Sequence, residues 1–387
     1  MYNDYLINTY NRMDFIAESG NGCWLTDVNG NTYLDLVAGV AVNSLGHSHP
    51  AVVKSIQAQA EKMIHVSNIF WTKEQGELAK KLVELSNHQG VFFCNSGSEA
   101  VEGAIKTAIK YGTSKKAEKE KIICFNNSFH GRTIGALSIT AQEKYQQPFG
   151  SLLKKVKICH FNDLEDVKAN MDEDVCAIIV EPVQGEGGIQ VATTAFLEGL
   201  KMLCEENDSL LIFDEIQCGA GRLGTFFAYE KYGVEPDIIC MAKGLGGGVP
   251  IGAFIVNEKA NVLIKGDHGS TFGGNPFVCA VSKTVIDITG SPDFLETVNE
   301  KSAYLKEALF KIEKKYPQFI TEVRGEGLML GIEMKVPVKE VIQEAYKNKV
   351  LLISAGSNVI RIVPPLTIEY KEMDVFIDTF NQILETF

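Results

Sequence analysis

The sequence predicts an α/β protein built on a mostly parallel sheet, followed by a smaller α+β unit. Between about residues 75 and 290, short apolar runs alternate with amphipathic segments. The runs are continuously apolar rather than alternating, as strands covered on both faces must be. From about residue 291 the texture changes to longer helical patterns around a few strands.

The opening GCWLTDVNGNTYLDL reads as a hairpin turning at Asn29-Gly30, and residues 1–50 are expected to pack with the C-terminal unit. In the large unit, 51–290, the strands are VFFCN (91–95), KIICFN (121–126), CAIIVEP (176–182), SLLIFDE (209–215), DIICMAK (237–243) and IGAFIVN (251–257). SEAVEGAIKTAIKYG (98–112) is helical, with Gly112 expected as its C-cap. AFLEGLKMLCEEN (195–207) places Phe196, Leu200 and Leu203 on one helical face. Strand and helix in alternation give a parallel sheet. In the small unit, 291–387, a helix at 294–315 leads to EVRGEGLMLGIEM (322–334), a helix near 338–348, VLLISAGSNVIRIVPPL (350–366) and a terminal helix, 373–387.

The 387 residues carry a net charge of −12, which argues against a nucleic-acid footprint. KKAEKEK (115–121) mixes lysine with glutamate and reads as a solvated helix end or loop. The nine cysteines form no C-x-x-C pair, and several lie inside apolar runs, as small buried hydrophobes do in a reducing compartment. No apolar run approaches the ~20 residues of a membrane span, and the N-terminus has no signal-peptide pattern. A cytoplasmic protein is expected. HSHP (47–50) reads as turn-structuring histidines, and no metal site is expected.

Asp214 and Lys243 each close an apolar run. A lysine at a strand end can hold an aldehyde cofactor covalently, and a buried aspartate can keep a pyridine nitrogen protonated. Gly244 to Gly248 around the lysine permit close backbone approach. In FDEIQCGAGRLG (213–224), Gln217 is placed to reach a cofactor oxygen, Ile216 to press on a ring, and Glu215 to bind cofactor or brace the loop. NSGSEA (95–100) opens a helix after a strand, so its amides and hydroxyls can hold a phosphate; Ser96 and Glu99 equally fit a capping box. It is not a nucleotide-binding loop, and no G-x-G-x-x-G follows the first strand. In SFHGRT (128–133) Phe129 can stack on a planar ring and Arg132 can clamp a carboxylate, or both can be ordinary packing and surface residues; His130 reads as ordering the loop. Glu181 and Glu186 of EPVQGEGG (181–188) can each meet an arginine or line a pocket, one of them being structural. GSTFGGNP (269–276) offers Ser270 and Thr271 to an anion, and RIVPPL (361–366) supplies Arg361.

In order along the chain, NSGSEA, FHGRT, EPVQGEGG, DEIQCGAGRLG, AKGLGGGVPIGA, STFGGNP and RIVPPL resemble the class III, fold-type I pyridoxal-phosphate aminotransferases, and AGVAVNSLGHSHP (38–50) extends the likeness. Within the class the chain is most similar to the acetylornithine branch, which serves arginine biosynthesis; Gly39, where ornithine-specific members carry tyrosine, leaves room for an acyl group. The resemblance implies pyridoxal 5'-phosphate bound covalently to Lys243, with Asp214 at the pyridinium nitrogen, Gln217 at the phenolic oxygen and Glu215 nearby. It implies Phe129 and Ile216 on the two ring faces, Gly97 and Ser98 on the phosphate, and Thr271 reaching that phosphate from the partner of a homodimer. Arg132 and Ser270 would contact acetylornithine. Arg361 would hold the α-carboxylate of glutamate or 2-oxoglutarate, with Glu186 neutralising it in the other half-reaction. Related substrates (ornithine, N-succinyl-diaminopimelate, 4-aminobutyrate) and an aminomutase are the alternatives.

Overall fold

Seven strands form the central sheet of the computed structural model, which describes residues 5–150 and 152–387. Their order is Gly90–Cys94, Gly252–Val256, Ile238–Met241, Leu210–Asp214, Val175–Val180, Lys121–Phe125 and Val156–Cys159. Only Gly252–Val256 runs antiparallel to its neighbours; the other pairings are parallel. The chain is therefore α/β, as the continuous apolar runs require. Val175–Val180 and Leu210–Asp214 are buried at every position, covered on both faces.

The edge strand Val156–Cys159 was not expected from the sequence. It is four residues long, with Ile158 exposed, so it carries no continuous apolar signal. The helix after the first strand runs Gly97–Lys115, past the expected cap at Gly112. Gly112 is buried inside it, because a Cβ there would come within 2.0 Å of the Lys119 carbonyl oxygen and 2.6 Å of Cys176 Cβ. Its absent side chain serves helix-to-sheet packing rather than helix termination. In KKAEKEK, Lys119 departs from the solvated reading: its amine is buried and donates to the Asn207 carbonyl at 2.8 Å.

The hairpin Trp24–Asp27/Thr32–Asp35 turns at Gly30, with Asp27 Oδ1 accepting from the Asn29 and Asn31 amides. Its second strand pairs in parallel with Val350–Leu351, and Cys23, Leu34 and Leu36 join a core made by residues 298 to 384. A four-stranded antiparallel sheet carries Arg361 on Val359–Ile362, beside Met329–Met334. All nine cysteines are free and buried. No helix among the described residues is long and apolar enough to cross a membrane.

Candidate active site

Parallel strands point their carboxyl ends the same way, and that edge is where loops can converge on a ligand. Here it collects the loops after Cys94, Phe125, Val180, Asp214 and Met241 around a cavity of about 350 Å³. Gly97, Ser98, Phe129, Glu186, Asp214, Ile216, Gln217 and Lys243 all line it.

Lys243 opens a single 3₁₀ turn, Lys243–Leu245, two residues past its strand. Its φ of +43° is left-handed, a conformation that costs a residue with a side chain about 1–2 kcal/mol. Burial, and then the charge of Arg361, push its amine below the usual lysine range, against Asp214, Glu186 and Glu181. A depressed lysine is closer to the neutral form needed for attack on a carbonyl and for proton transfer.

Asp214 is buried, with Oδ1 accepting from the Ile216 amide at 3.0 Å and Oδ2 lying 2.7 Å from His130 Nδ1. His130, which the sequence reads as ordering the loop, is thus a buried neighbour of Asp214. Burial opposes its charge, yet the hydrogen bond and charge of Asp214, with Glu181 behind, raise it above the usual histidine value. The two acids of EPVQGEGG divide their work. Glu181 is buried and accepts from the Phe129 amide at 2.8 Å and the Gly185 amide at 3.1 Å, tying two loops of the site together. Burial lifts its carboxyl to about 7, against the charge of His130. Glu186 Oε1 instead meets Arg361 Nη1 at 2.5 Å. Arg361 stands just behind the cavity wall, its Nη1 also donating to Gln217 Oε1 at 3.2 Å and its buried Nε left without a partner.

At the helix start, Ser96 Oγ accepts from the Glu99 amide at 3.2 Å, one half of the expected box. The Glu99 carboxylate reaches the Asn95 amide at 2.5 Å rather than that of Ser96. Gly97 and Ser98, the first residues of this helix, line the cavity, and a helix N-terminus favours an anion. A Cβ at Gly97 would come within 2.9 Å of Ile216 Cδ1, and one at Gly131 within 2.4 Å of Ser98 Oγ. The cradle exists because both positions are glycine.

Other expected site residues lie off the cavity wall. Glu215 does not face the cavity: its buried carboxylate accepts from the Ala228 amide at 2.6 Å and the Tyr229 amide at 2.8 Å, bracing the start of the helix Ala228–Tyr232. Arg132 is exposed, its guanidinium 3.7 Å from the centroid of the Tyr145 ring, and is absent from the cavity wall. Ser270 and Thr271 lie in a separate depression with Phe92, Glu99 and His268, joined to the cavity through Asn95, whose amide donates to Ser270 Oγ at 3.2 Å. Gly39 is exposed and lies off the cavity wall, within a left-handed turn, Ala38–Ala41, whose next residue, Val42, is in that wall. The Asp35 carboxylate holds this turn through the Val37 and Ala38 amides, and His47 pairs with Asp35 at 2.7 Å.

This donor set fits pyridoxal phosphate. It offers a buried carboxylate for a ring nitrogen, an aromatic and an aliphatic side chain for the ring faces, a phosphate cradle that any Cβ would fill, and a lysine of depressed basicity. No group of acids, histidines and cysteines able to hold a metal occurs among the described residues.

The model of the family described as aminotransferase class-III matches residues 5–384. The acetylornithine aminotransferase of Clostridium acetobutylicum is 47% identical over 388 residues, covering 100% of both chains. That of Caldanaerobacter subterraneus is 47% identical, covering 98% of this chain and 97% of its own. Among solved structures, an ornithine aminotransferase from Toxoplasma gondii superimposes with a TM-score of 0.96 at 30% identity, covering 100% of this chain and 93% of the other. An N-acetylornithine aminotransferase from Stenotrophomonas maltophilia gives 0.86 at 34% identity, covering 97% of each.

Proposed function

Because the chain belongs to the class-III aminotransferases, we propose that it moves the terminal amino group of N2-acetyl-L-ornithine to 2-oxoglutarate, giving N-acetylglutamate 5-semialdehyde and glutamate in arginine biosynthesis. The cofactor is pyridoxal 5'-phosphate, which when bound supplies a carbonyl for the lysine and an electron-withdrawing ring. Lys243 holds it and carries the proton at the reacting carbon, within reach and with no diffusion step. Asp214, oriented by the Ile216 amide and His130, holds a positive charge at the ring nitrogen. Gly97 and Ser98 hold the phosphate, Phe129 and Ile216 enclose the ring, and Gln217 meets its oxygen.

The observation that carries the two-substrate reading is the pairing of Arg361 with Glu186 at the edge of the cavity. Paired, the arginine is neutralised and the site accepts a terminal amine; released, it can clamp the α-carboxylate of glutamate or 2-oxoglutarate. Arg132 and Ser270 are assigned to the acetylornithine end, which requires Arg132 to leave the Tyr145 ring. The active form is a homodimer in which Thr271 reaches the partner's phosphate, and the free buried thiols suit the cytoplasm. Residues 51–290 form the cofactor-binding domain; 1–50 and 291–387 form the smaller one.

Two of the comparisons pull apart: an ornithine aminotransferase shares the fold to 0.96, while the 47% relatives act on acetylornithine. Whole-chain identity is the better guide to substrate, since one fold hosts both activities. A half-reaction panel decides it. The holoenzyme is mixed with acetylornithine, ornithine, 4-aminobutyrate and N-succinyl-diaminopimelate, and the visible absorbance of the lysine-bound cofactor is followed. Acetylornithine should give the largest kcat/KM, with turnover dependent on added 2-oxoglutarate. A larger value for any other amine refutes the substrate assignment, and turnover without an acceptor refutes transamination.

A further inference from the structure

Once a substrate carboxylate occupies Arg361, the Glu186 carboxylate must go elsewhere. Left in the cavity it would repel both that substrate and Asp214. Glu186 lies in the loop 185–189 of the short hairpin Val183–Gln184/Gln190–Val191, whose backbone is packed closely at Gly185 against Gln217 and at Gly187 against the Asn127 carbonyl, so it is the half-buried Glu186 side chain that turns. It lines two spaces at once: the cavity, and an adjoining groove of about 520 Å³ shared with Lys144, Gly188, Arg324, Glu333 and Asn358.

Arg324, on the strand Ile320–Glu326, is fixed in that groove. Its Nε donates to the Gly188 carbonyl at 2.9 Å, gripping the Glu186 loop two residues from the acid. Its Nη1 pairs with Glu322 at 2.7 Å and also with Glu333. Among the described residues its Nη2 has no hydrogen-bond partner, and it stands 3.3 Å from where a Cβ on Gly188 would be. Lys144, the other cation of the groove, lies over the Tyr145 ring at 4.7 Å.

We propose that Arg324 is a positioning residue for the amino-acceptor half of the reaction, gripping the 185–189 loop and receiving the Glu186 carboxylate whenever a substrate carboxylate takes Arg361. Glu186 then has two seats, one on each side of a glycine-rich loop, and the guanidinium at the second seat sets how readily the first is vacated. This rests on the two-substrate reading of Arg361 and Glu186 given above.

The test is a double-mutant cycle in the holoenzyme with Arg324→Gln and Glu186→Gln, measuring both half-reactions. Arg324→Gln should raise the KM for glutamate relative to that for acetylornithine by about tenfold, the scale of a lost close charge contact, with kcat for glutamate changed less than about twofold. In the Glu186→Gln background the same substitution should leave the KM ratio where it was. Arg324→Lys, which keeps the charge but loses the fork, should shift the ratio in the same direction by less, and serves if the glutamine variant does not fold; the visible absorbance of the lysine-bound cofactor reports that. An unchanged ratio, or a shift that persists without Glu186, makes Arg324 a packing residue and overturns the proposal. Glu186→Gln alone leaving the ratio at the wild-type value would instead overturn the two-substrate reading, and this inference with it.

Discussion

His130 shows what one buried contact does for the Asp214 carboxylate. Asp214 sits among apolar strands, where a lone charge is costly, and a histidine drawn above its ordinary value supplies the counter-charge. The sign of the linkage follows. The folded value lies above the usual 6.5, so the pair's stabilisation is fully present below 6.5 and is lost as pH rises through the folded value. Asp214→Asn removes the cause. In cofactor-free protein, the His130 ring titration followed by NMR should move down on that substitution, each tenfold change in proton affinity being worth about 1.4 kcal/mol. The stability gap between wild type and variant should narrow as pH rises. A His130 titration indifferent to Asp214→Asn would show that the two do not share a charge. The contact was invisible in the sequence because its partners stand 84 residues apart, whereas Asp214 and Lys243 themselves were legible, each being announced by the apolar run it closes.

At the scale of elements, the helix Gly97–Lys115 and the loop Asn126–Thr133 jointly form the cavity wall proposed to cradle a phosphate. Gly131 has φ +141° and its missing Cβ lies against Ser98 Oγ, which also accepts from the Arg132 amide at 3.2 Å. Gly131→Ala should therefore displace Ser98 and strain the loop. Losing one hydrogen bond to a charged phosphate costs about 1.5–3 kcal/mol, so cofactor affinity, measured by titrating the cofactor-free variant, should fall at least about tenfold. Near-native affinity would mean that Ser98 does not serve the phosphate. Local sequence announced the strands and most helices here, because periodicity and caps are short-range. It misplaced Gly112, whose reason is the close approach of Lys119 and Cys176, and it missed Val156–Cys159, an edge strand with too few buried positions to show. For Glu215 the sequence left two roles open, cofactor contact or loop brace, and the structure shows the brace. A carboxylate beside Asp214 can turn to either side of the loop, and only the fold shows that the amides of Ala228 and Tyr229 wait on the far one.

For the whole molecule, the unsatisfied feature is a surface. Ile69, Phe70 and Trp71 are 83%, 65% and 96% exposed, and Phe272, next to Thr271, is 61% exposed. These two segments are joined: the Asn68 amide donates to the Ser270 and Gly273 carbonyls at 2.9 and 3.0 Å. Apolar side chains so exposed on neighbouring segments mark an association surface, and Thr271 stands within it rather than on this chain's own cavity. A second copy of the chain is the occupant that would both cover the surface and bring Thr271 to a phosphate. Trp71→Glu places a charge at the most exposed of these positions, where burying it unpaired would cost several kcal/mol. The variant should sediment as a monomer that retains its fold by circular dichroism, binds cofactor more weakly, and has lost most of its turnover. Wild-type protein diluted until it dissociates should lose activity in the same proportion as dimer. A monomer with full activity, in either experiment, would show that each cavity is complete on its own and that the apolar surface serves another purpose.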